Sequence, residues 1–597
     1  MNGRIEPAVL GLILDGTSLP DRQLVGGKAW SVARMQALGL PVPPAFVLTT
    51  VACREYLSNG GALTESMLAS VRSGIAHIEA ATGRKIGCSQ RPLLVSVRSG
   101  APVSMPGMMD TVLNLGINDA TEVTLAKETG SATFARDSHR RFCEMFARIV
   151  MRSSIEALPP DAEPGQWRQL IAQSCQREMP TDPFEQLTLA ITAIFDSWNG
   201  RRAKRYREHH GIDHAMGTAV TIQAMVFGNS DARSGTGVLF TRNPLTGEAV
   251  PYGEYLECAQ GEDVVSGSHT PVPIERLRES LPAVHVELMQ AAQTLEHENR
   301  DVQDIEFTIE RGKLYLLQSR SAKRSPAAAV RCAVDMVREG RIDEDAALRR
   351  VTSEQVRMLL RPRLAAHVDP ERETVLARGE AASPGAGFGV IVEDADEAER
   401  LALSGQPVVL SRPTTSPEDV HGMFFAEAVI TERGGSTSHA AVVSRQLGVP
   451  CVVGCGDGAL KGLGGRTVTI DGTRGIVFAG HLAVDHPQED ADPLLRQLHD
   501  WAVTRAPLRV FAVAHAPRTP DVDLESDDAA QAAPRLAGVS SAIGSLLNTD
   551  AGVHLAVAAG LEFIVVKQVL PALLAACAIQ GNSASGRTPA NQEEIKS

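Results

Sequence analysis

The first strong pattern along the chain is helical. "KAWSVARMQALG" spaces its apolar residues three and four apart and stops at Gly39. Short apolar runs come next: "PAFVLTT" and "PLLVSVRS" read as strands. From about Ala120 to His214 the spacing is helical almost throughout, most clearly in "FARDSHRRFCEMFARIVM". Strand patterns return in "AVTIQAMVFG" and "GTGVLFTRNP". "DVQDIEFTIERGKLYLLQSR" reads as a hairpin, two strand-like runs around "ERGK". "PAAAVRCAVDMVREG" starts a helix with Pro and ends it at Gly340, and "TSEQVRMLLRP" carries a hydroxyl cap. Between Ala382 and Ala479 small strands and turns dominate, with one good helix after His439.

Beyond Asp485 the pattern changes. "HPQEDADP" is a polar, Pro-bearing linker, and "LRVFAVAHAP" opens another strand–loop unit. The last stretch, "QGNSASGRTPANQEEIKS", is polar and predicted to be disordered. No internal repeat is visible. The whole predicts an α/β and α+β multidomain chain. Its expected parts are a first region over 1–325 with a helical insertion at about 120–214, and a helical linker over 326–378. Next come a compact α/β unit over 379–484, a short α/β unit over 485–579 and a tail over 580–597.

Composition narrows the classes. With 43% hydrophobic and 22% charged residues, most of the 597-residue chain can bury a core. A net charge of −13 argues against a nucleic-acid or anionic-membrane partner. The nine cysteines are odd in number and scattered. Cys451 and Cys455 form a close pair without a matching second half, which disfavours zinc. Small buried hydrophobes in a reducing cytoplasm are the expected reading. The N-terminal "MNGRIEPAVLGLILDG" has no small-residue cleavage site, so no signal peptide is expected. The apolar "GLEFIVVKQVLPALLAACAI" is interrupted by Glu562, Lys567, Gln568 and Pro571, which predicts core rather than a membrane span.

Three stretches carry chemistry. Along the first hairpin strand Asp304, Glu306 and Thr308 share one face, and Gln318 and Arg320 share a face of the second. Brought together they form either a floor for a Mg²⁺–nucleotide complex or a solvated hairpin face. "SVRSGAPVSMPGMMDT" places Arg98, Ser99, Gly100, Ser104 and Gly107 after a strand. It is either a phosphate-cradling loop or an ordinary surface loop, and it does not match the P-loop pattern. Lys28, after Gly26 and Gly27, stands within the same choice. Finally, "RGGSTSHAAVVSRQLG" sets His439 after two glycines and three hydroxyl residues at a helix start. Ser436, Thr437 and Ser438 are expected to cap that helix. Its N-terminal dipole would favour neutral imidazole, the nucleophilic form. The alternative is a histidine hydrogen-bonded in a turn.

Taken in order, these segments resemble the pyruvate phosphate dikinase family. The match runs from about Val25 to Ala479. It includes "GGKAWSVARMQALGLPVPPAFVLTT", "LLVSVRSGAPVSMPGMMDTVLNLGIND", "FDSWNGRRAKRYR", "QAMVFGNSDARSGTGVLFTRNPLTGE", "AQGEDVVSG", "QDIEFTIERGKLYLLQSR" and "GGSTSHAAVVSRQLG". The resemblance implies an ATP-grasp nucleotide-binding region, a helical connector and a swivelling β/β/α phosphohistidine domain. It implies that Lys28, Arg98 and Arg320 hold nucleotide phosphates, that Glu306 and Gln318 bind Mg²⁺, and that Asp304 lines the same site. His439 would be the phosphorylated carrier, and Thr437 stands where plant members carry a regulatory phosphothreonine. The implied substrates are ATP, phosphate, and pyruvate or phosphoenolpyruvate.

The family's C-terminal (β/α)₈ barrel, typically about 250 residues, is larger than the stretch of chain after Ala479. The expectation is therefore ATP-dependent phosphorylation of His439, with onward transfer to pyruvate or another acceptor needing a barrel in trans. Two other readings stand beside it: an antibiotic-type dikinase phosphotransferase, and a non-catalytic nucleotide-binding regulatory protein. The expected setting is cytoplasmic, with no nucleic acid and no membrane, and with a separate barrel protein or a second copy as protein partners.

Overall fold

The computed structural model describes residues 9–585 apart from 104, 106–108, 156, 266–269, 361–362, 366–367, 370–371, 448, 486 and 525–528. The chain is a mixed α/β multidomain protein. The first region holds two five-stranded sheets. In the first, strands Gly11–Leu14, Ala45–Leu48, Ala219–Ala224, Val95–Gly100 and Thr111–Leu115 lie side by side, all antiparallel. Helices Asp119–Thr129, Ala132–Ile149, Pro164–Cys175, Pro183–Ser197 and Arg201–His209 fill the predicted helical insertion. The Ala132–Ile149 helix sends Phe134, Phe142 and Phe146 into the core shared with this sheet.

The second sheet orders Val272–Pro273, Tyr252–Glu257, Gly235–Phe240, Gln303–Glu310 and Lys313–Ser321. Its last two strands are the predicted hairpin, closed by Arg311 and Gly312 with φ of 52° and 76°. Left-handed backbone at both turn positions matches the twist of paired strands. The pleat divides the faces as expected: Ile305, Phe307 and Ile309 enter a buried cluster with Leu314 and Leu316.

Helices Pro326–Arg338, Glu344–Arg350 and Ser353–Leu359 form the connector, started by side-chain caps from Ser325, Asp343 and Thr352. The next unit is an eight-stranded sheet. Strands Ala386–Val392, Val408–Arg412, Ala428–Thr431 and Cys451–Val453 run parallel, and helix His439–Leu447 lies between the last two. The chain enters and leaves this unit side by side, through a two-stranded antiparallel ribbon of Arg363–Leu364 and Val484–Asp485.

Residues after Pro493 form a four-stranded parallel sheet, ordered Arg509–Ala512, Phe563–Val566, Ser541–Ile543 and Val522–Asp523. A closed (β/α)₈ barrel has eight such strands. Helix Val569–Ser585 runs past the expected start of disorder at 580. Continuation of the apolar run lets Leu570, Leu573 and Leu574 pack with connector residues Val330, Val334 and Val356 and with Trp501. Residues 586–597 lie outside the described residues. Among the described residues no helix is long and apolar enough to cross a membrane.

Candidate functional site

Two glycine-bearing segments meet first. Helix Arg22–Ala37 breaks at Gly26, whose φ is 76°. A Cβ there would stand 1.9 Å from the carbonyl oxygen of Gly100, so only glycine lets this turn touch the end of strand Val95–Gly100. The Gly27 N–H donates to the Ala101 carbonyl at 3.0 Å. That contact sets Lys28 beside Arg98. The sequence shows both segments; only the fold shows that they form one wall. Ser104 and Gly107 of the same loop lie outside the described residues.

The hairpin supplies the floor. In its register Asp304 faces Arg320 and Glu306 faces Gln318. Arg320 Nε donates to Asp304 at 2.8 Å, and Arg98 Nη2 donates to Glu306 at 3.3 Å across the gap between the two sheets. Burial and the neighbouring Arg98 push the Lys28 ammonium down to about 7, while Glu306 pulls the other way. Burial tends to raise the Glu306 carboxyl, but Arg98, Arg320 and Lys28 outweigh it and hold it below the usual range. Asp304 raises Arg320. Lys28, Arg98, Asp304, Glu306, Gln318 and Arg320 thus gather into one cluster. Thr308 is buried further along the strand, with its hydroxyl 3.3 Å from that of Thr236.

The donor set suits a hard cation. Gln318 Oε1 and Asp304 Oδ1 are both buried without a hydrogen-bond partner, next to the Glu306 carboxylate. Two or three protein oxygens, completed by phosphate and water, are what Mg²⁺ takes. Among the described residues no group of three His, Cys, Asp or Glu side chains forms an all-protein metal cage.

His439 opens its helix on the other unit, as predicted, but its neighbours do not cap it. Ser436 Oγ donates to Glu254 Oε1 at 3.0 Å, the Thr437 hydroxyl donates to Glu254 Oε2, and Ser438 Oγ is buried without a partner. Ser438, the residue directly before the helix, leaves its Oγ without a partner, and Ser436 and Thr437 turn their hydroxyls to a carboxylate of the first region instead. Tyr252 and Glu380 complete the clamp. The Tyr252 hydroxyl lies 2.8 Å from Ser436 Oγ and donates to Glu380 at 3.2 Å, and Glu380 accepts from the Ser436 N–H at 3.2 Å. Gly435 leaves room for this contact: a Cβ there would come 2.8 Å from Glu254 Oε1 and push on that carboxylate. Arg445, 3% exposed, donates to the carbonyls of Ala382 and Ser436 at 2.9 and 2.8 Å and braces the loop from behind.

The imidazole itself is held on one side. His439 Nδ1 lies 3.1 Å from Thr415 Oγ1, and Nε2 is buried without a partner. Burial lowers its basicity, against a smaller upward pull from Asp419. The ring is therefore mostly neutral at pH 7, as expected, and burial is the leading cause.

The two half-sites share one surface. Glu254 pairs with Val238, Val238 with Glu306, and Glu306 with Gln318. Residues directly opposite on antiparallel strands share a face. The next row reads Tyr252, Phe240, Asp304 and Arg320. The carboxylate that holds the histidine loop thus stands two strands, roughly 10 Å, from Glu306 on the same face. Glu254, Tyr252, Glu380, Thr415 and Arg445 are not legible in the sequence as site residues. The usable signal for the first two is a tyrosine and a carboxylate spaced by two within the strand-like "YGEYLE".

Comparisons with known proteins give the chain a family. Residues 22–73 and 62–284 match the model of the pyruvate phosphate dikinase AMP/ATP-binding domain, and 404–475 match the mobile domain of PEP-utilising enzymes. The chain is 42% identical over 546 residues to a pyruvate, phosphate dikinase of Rhizobium meliloti, covering 84% of this chain and 60% of that protein. It is 41% identical over 549 residues to the Entamoeba histolytica protein of that name, covering 86% and 61%. Against the one from Clostridium symbiosum it is 41% identical over 531 residues, covering 83% and 60%. The chain spans about three-fifths of the length of the curated relatives it matches. On the strength of these matches and the motifs that carry them, the chain belongs to the pyruvate phosphate dikinase family.

Proposed function

We propose that this chain is an ATP-dependent phosphotransferase that charges His439 from a nucleotide bound between the two N-terminal sheets. The observation that carries the reading is the row Glu254–Val238–Glu306–Gln318, which seats the histidine loop and the nucleotide floor on one sheet face. In this reading the first region is an ATP-grasp unit and the eight-stranded unit is the swivelling phosphohistidine domain. Lys28, Arg98 and Arg320 hold the phosphates, and Asp304 keeps Arg320 in place. Glu306 and Gln318 would hold Mg²⁺, which when bound neutralises phosphate charge that would repel a nucleophile. Fixed cations aimed at the phosphates need no reorganisation as charge develops on the leaving oxygens. Neutral His439 attacks, which splits one hard transfer into two easier ones.

In this reading release needs movement, and the contacts support one pivot. The buried Arg242 pairs with Glu296 at 2.9 Å and with connector residue Glu339 at 2.6 Å, tying the first connector helix to the nucleotide side. The pivot is then the ribbon of Arg363–Leu364 and Val484–Asp485. Among the described residues, swinging on it breaks the contacts of Glu254 and Tyr252 with Ser436, Thr437 and Glu380. Thr437 is 6% exposed within that clamp, so a phosphate there would face Glu254 and oppose docking, in keeping with a regulatory position. The final acceptor is pyruvate, by the family's chemistry. Turnover to phosphoenolpyruvate is expected only where a complete barrel is supplied, in the same polypeptide or in trans. Nine free cysteines accord with a cytoplasmic setting.

The test is direct. Incubated with Mg²⁺ and β- or γ-labelled ATP, with and without phosphate, the protein should take up acid-labile, base-stable label. His439→Ala should not. Absence of label under every condition would overturn the reading in favour of a non-catalytic nucleotide-binding protein.

A further inference from the structure

We propose that Thr415 is the positioning residue that fixes the tautomer of His439, so that Nε2 presents the attacking lone pair. The inference rests on the reading of His439 as phosphoryl carrier. Its starting point is an asymmetry around the ring. Nδ1 has a hydroxyl 3.1 Å away, and Nε2 is buried with no partner.

A neutral imidazole carries one N–H and one lone pair. Were the proton on Nε2, a buried N–H would go unpaired, an arrangement folded proteins almost never keep. With the proton on Nδ1, the Thr415 oxygen accepts it and the Nε2 lone pair is free. Which nitrogen is protonated is set by the bond the other one makes.

Thr415 is itself well held. It comes after strand Val408–Arg412 and precedes a helical turn, Pro417–Asp419. Next to it the Ser416 N–H donates to Asp419 Oδ2 at 2.7 Å and Ser416 Oγ donates to the same oxygen at 3.2 Å. Arg412 pairs with Asp419 Oδ1 at 3.1 Å. Asp419 is 4% exposed, so this brace stays put when the domain moves. Thr415, Asp419 and His439 all belong to the mobile unit, and the tautomer is therefore preserved through the swing.

The step balances. The Nε2 lone pair forms the N–P bond while the P–O bond to the leaving phosphate breaks, and that oxygen keeps the bonding pair. The Nδ1 proton remains, so the ring becomes a cation. Thr415 Oγ accepts from that N–H, and Asp419 favours the positive ring. When the phosphoryl group leaves, the electrons return to Nε2 and the ring is neutral again with its proton where it began.

The full-length protein, labelled with ¹⁵N-histidine, tests this by two-bond ¹H–¹⁵N correlation, with His439→Gln assigning the signal. The wild type should show Nδ1–H. Thr415→Val should shift His439 toward Nε2–H and slow labelling about five- to tenfold, the worth of one hydrogen bond. Thr415→Ser should restore both. The phosphorylated form should carry its phosphorus on Nε2. An Nε2–H tautomer in the wild type, an unchanged tautomer in Thr415→Val, or a phosphorus on Nδ1 would overturn the proposal. A tautomer that tracks Thr415 in a protein that never takes label would sink the carrier reading and the attack step, and would leave the positioning intact.

Discussion

The nucleotide floor and the histidine pocket handle charge in opposite ways. The floor gathers three cationic side chains and two carboxylates, with Arg320–Asp304 paired within one sheet and Arg98–Glu306 bridging the two sheets. The pocket surrounds His439 with burial, the Thr415 hydroxyl and one nearby carboxylate, Asp419. Both are partly dry, so the contrast is chemical. A fixed site can carry charge because its partners travel nowhere. On the proposed reading His439 leaves one surface and meets another, and a neutral ring sheds its contacts cheaply. Among the described residues the clamp between the two puts charge across their boundary, through Glu254 on Ser436 and Thr437 and through Glu380 on Tyr252.

The contrast predicts a ranking of losses. His439→Asn removes the acceptor itself, and labelling from ATP should fall to background. Arg98→Met removes one cation from the floor and leaves Glu306 less compensated. Labelling should slow by about 10²–10³-fold, the usual cost of deleting one fixed electrostatic group. Unchanged far-UV circular dichroism would show that the fold survives. If Arg98→Met loses no more than Thr415→Val, the charged floor is not where the transition state is stabilised.

The clamp comes next. Glu254→Gln keeps the shape but replaces a charged acceptor with a neutral one. Docking should weaken, and labelling at saturating ATP should slow by about ten- to a hundredfold, while ATP affinity stays within about twofold. A double-mutant cycle with Thr437→Val should show coupling, because the two groups touch. Additive losses would mean that the hydroxyl–carboxylate contact carries no docking energy.

The same contrast explains what the sequence discloses. The hairpin faces, the helix after His439 and the cluster of Asp304, Glu306, Gln318 and Arg320 are readable, because each arises within about twenty residues by the period-two pleat or a helix start. The wall made by Gly26 and Gly100 is not, since it depends on two segments meeting in space. Nor is the clamp. Glu254 lies 182 residues from Ser436, and isolated hydroxyls before a helix read as caps. Local rules assign a group to its nearest use, and tertiary contact reassigned these. The C-terminal tail shows the reverse error. Residues 580–585 read as disordered on composition, yet they close a helix whose earlier turns share a core with the connector.

The smallest effect is a proton, and it separates the two regions most cleanly. In the free protein burial and neighbouring arginines hold Lys28 near 7, against 10.5 for an ordinary lysine. At pH 8 most of the population then carries a neutral amine. A triphosphate arriving beside it brings negative charge and favours the ammonium, so binding should take up a proton. Uptake should approach one proton per nucleotide at pH 8 and shrink toward pH 6, where Lys28 is already charged. Titration calorimetry in buffers of different ionisation enthalpy measures it, with a non-hydrolysable ATP analogue to exclude turnover. Lys28→Met should abolish the uptake, and His439→Asn should leave it unchanged because the neutral ring has no charge to trade at pH 8. If His439→Asn abolishes it instead, the proton sits on the carrier, and the division between a charged floor and a neutral pocket is wrong.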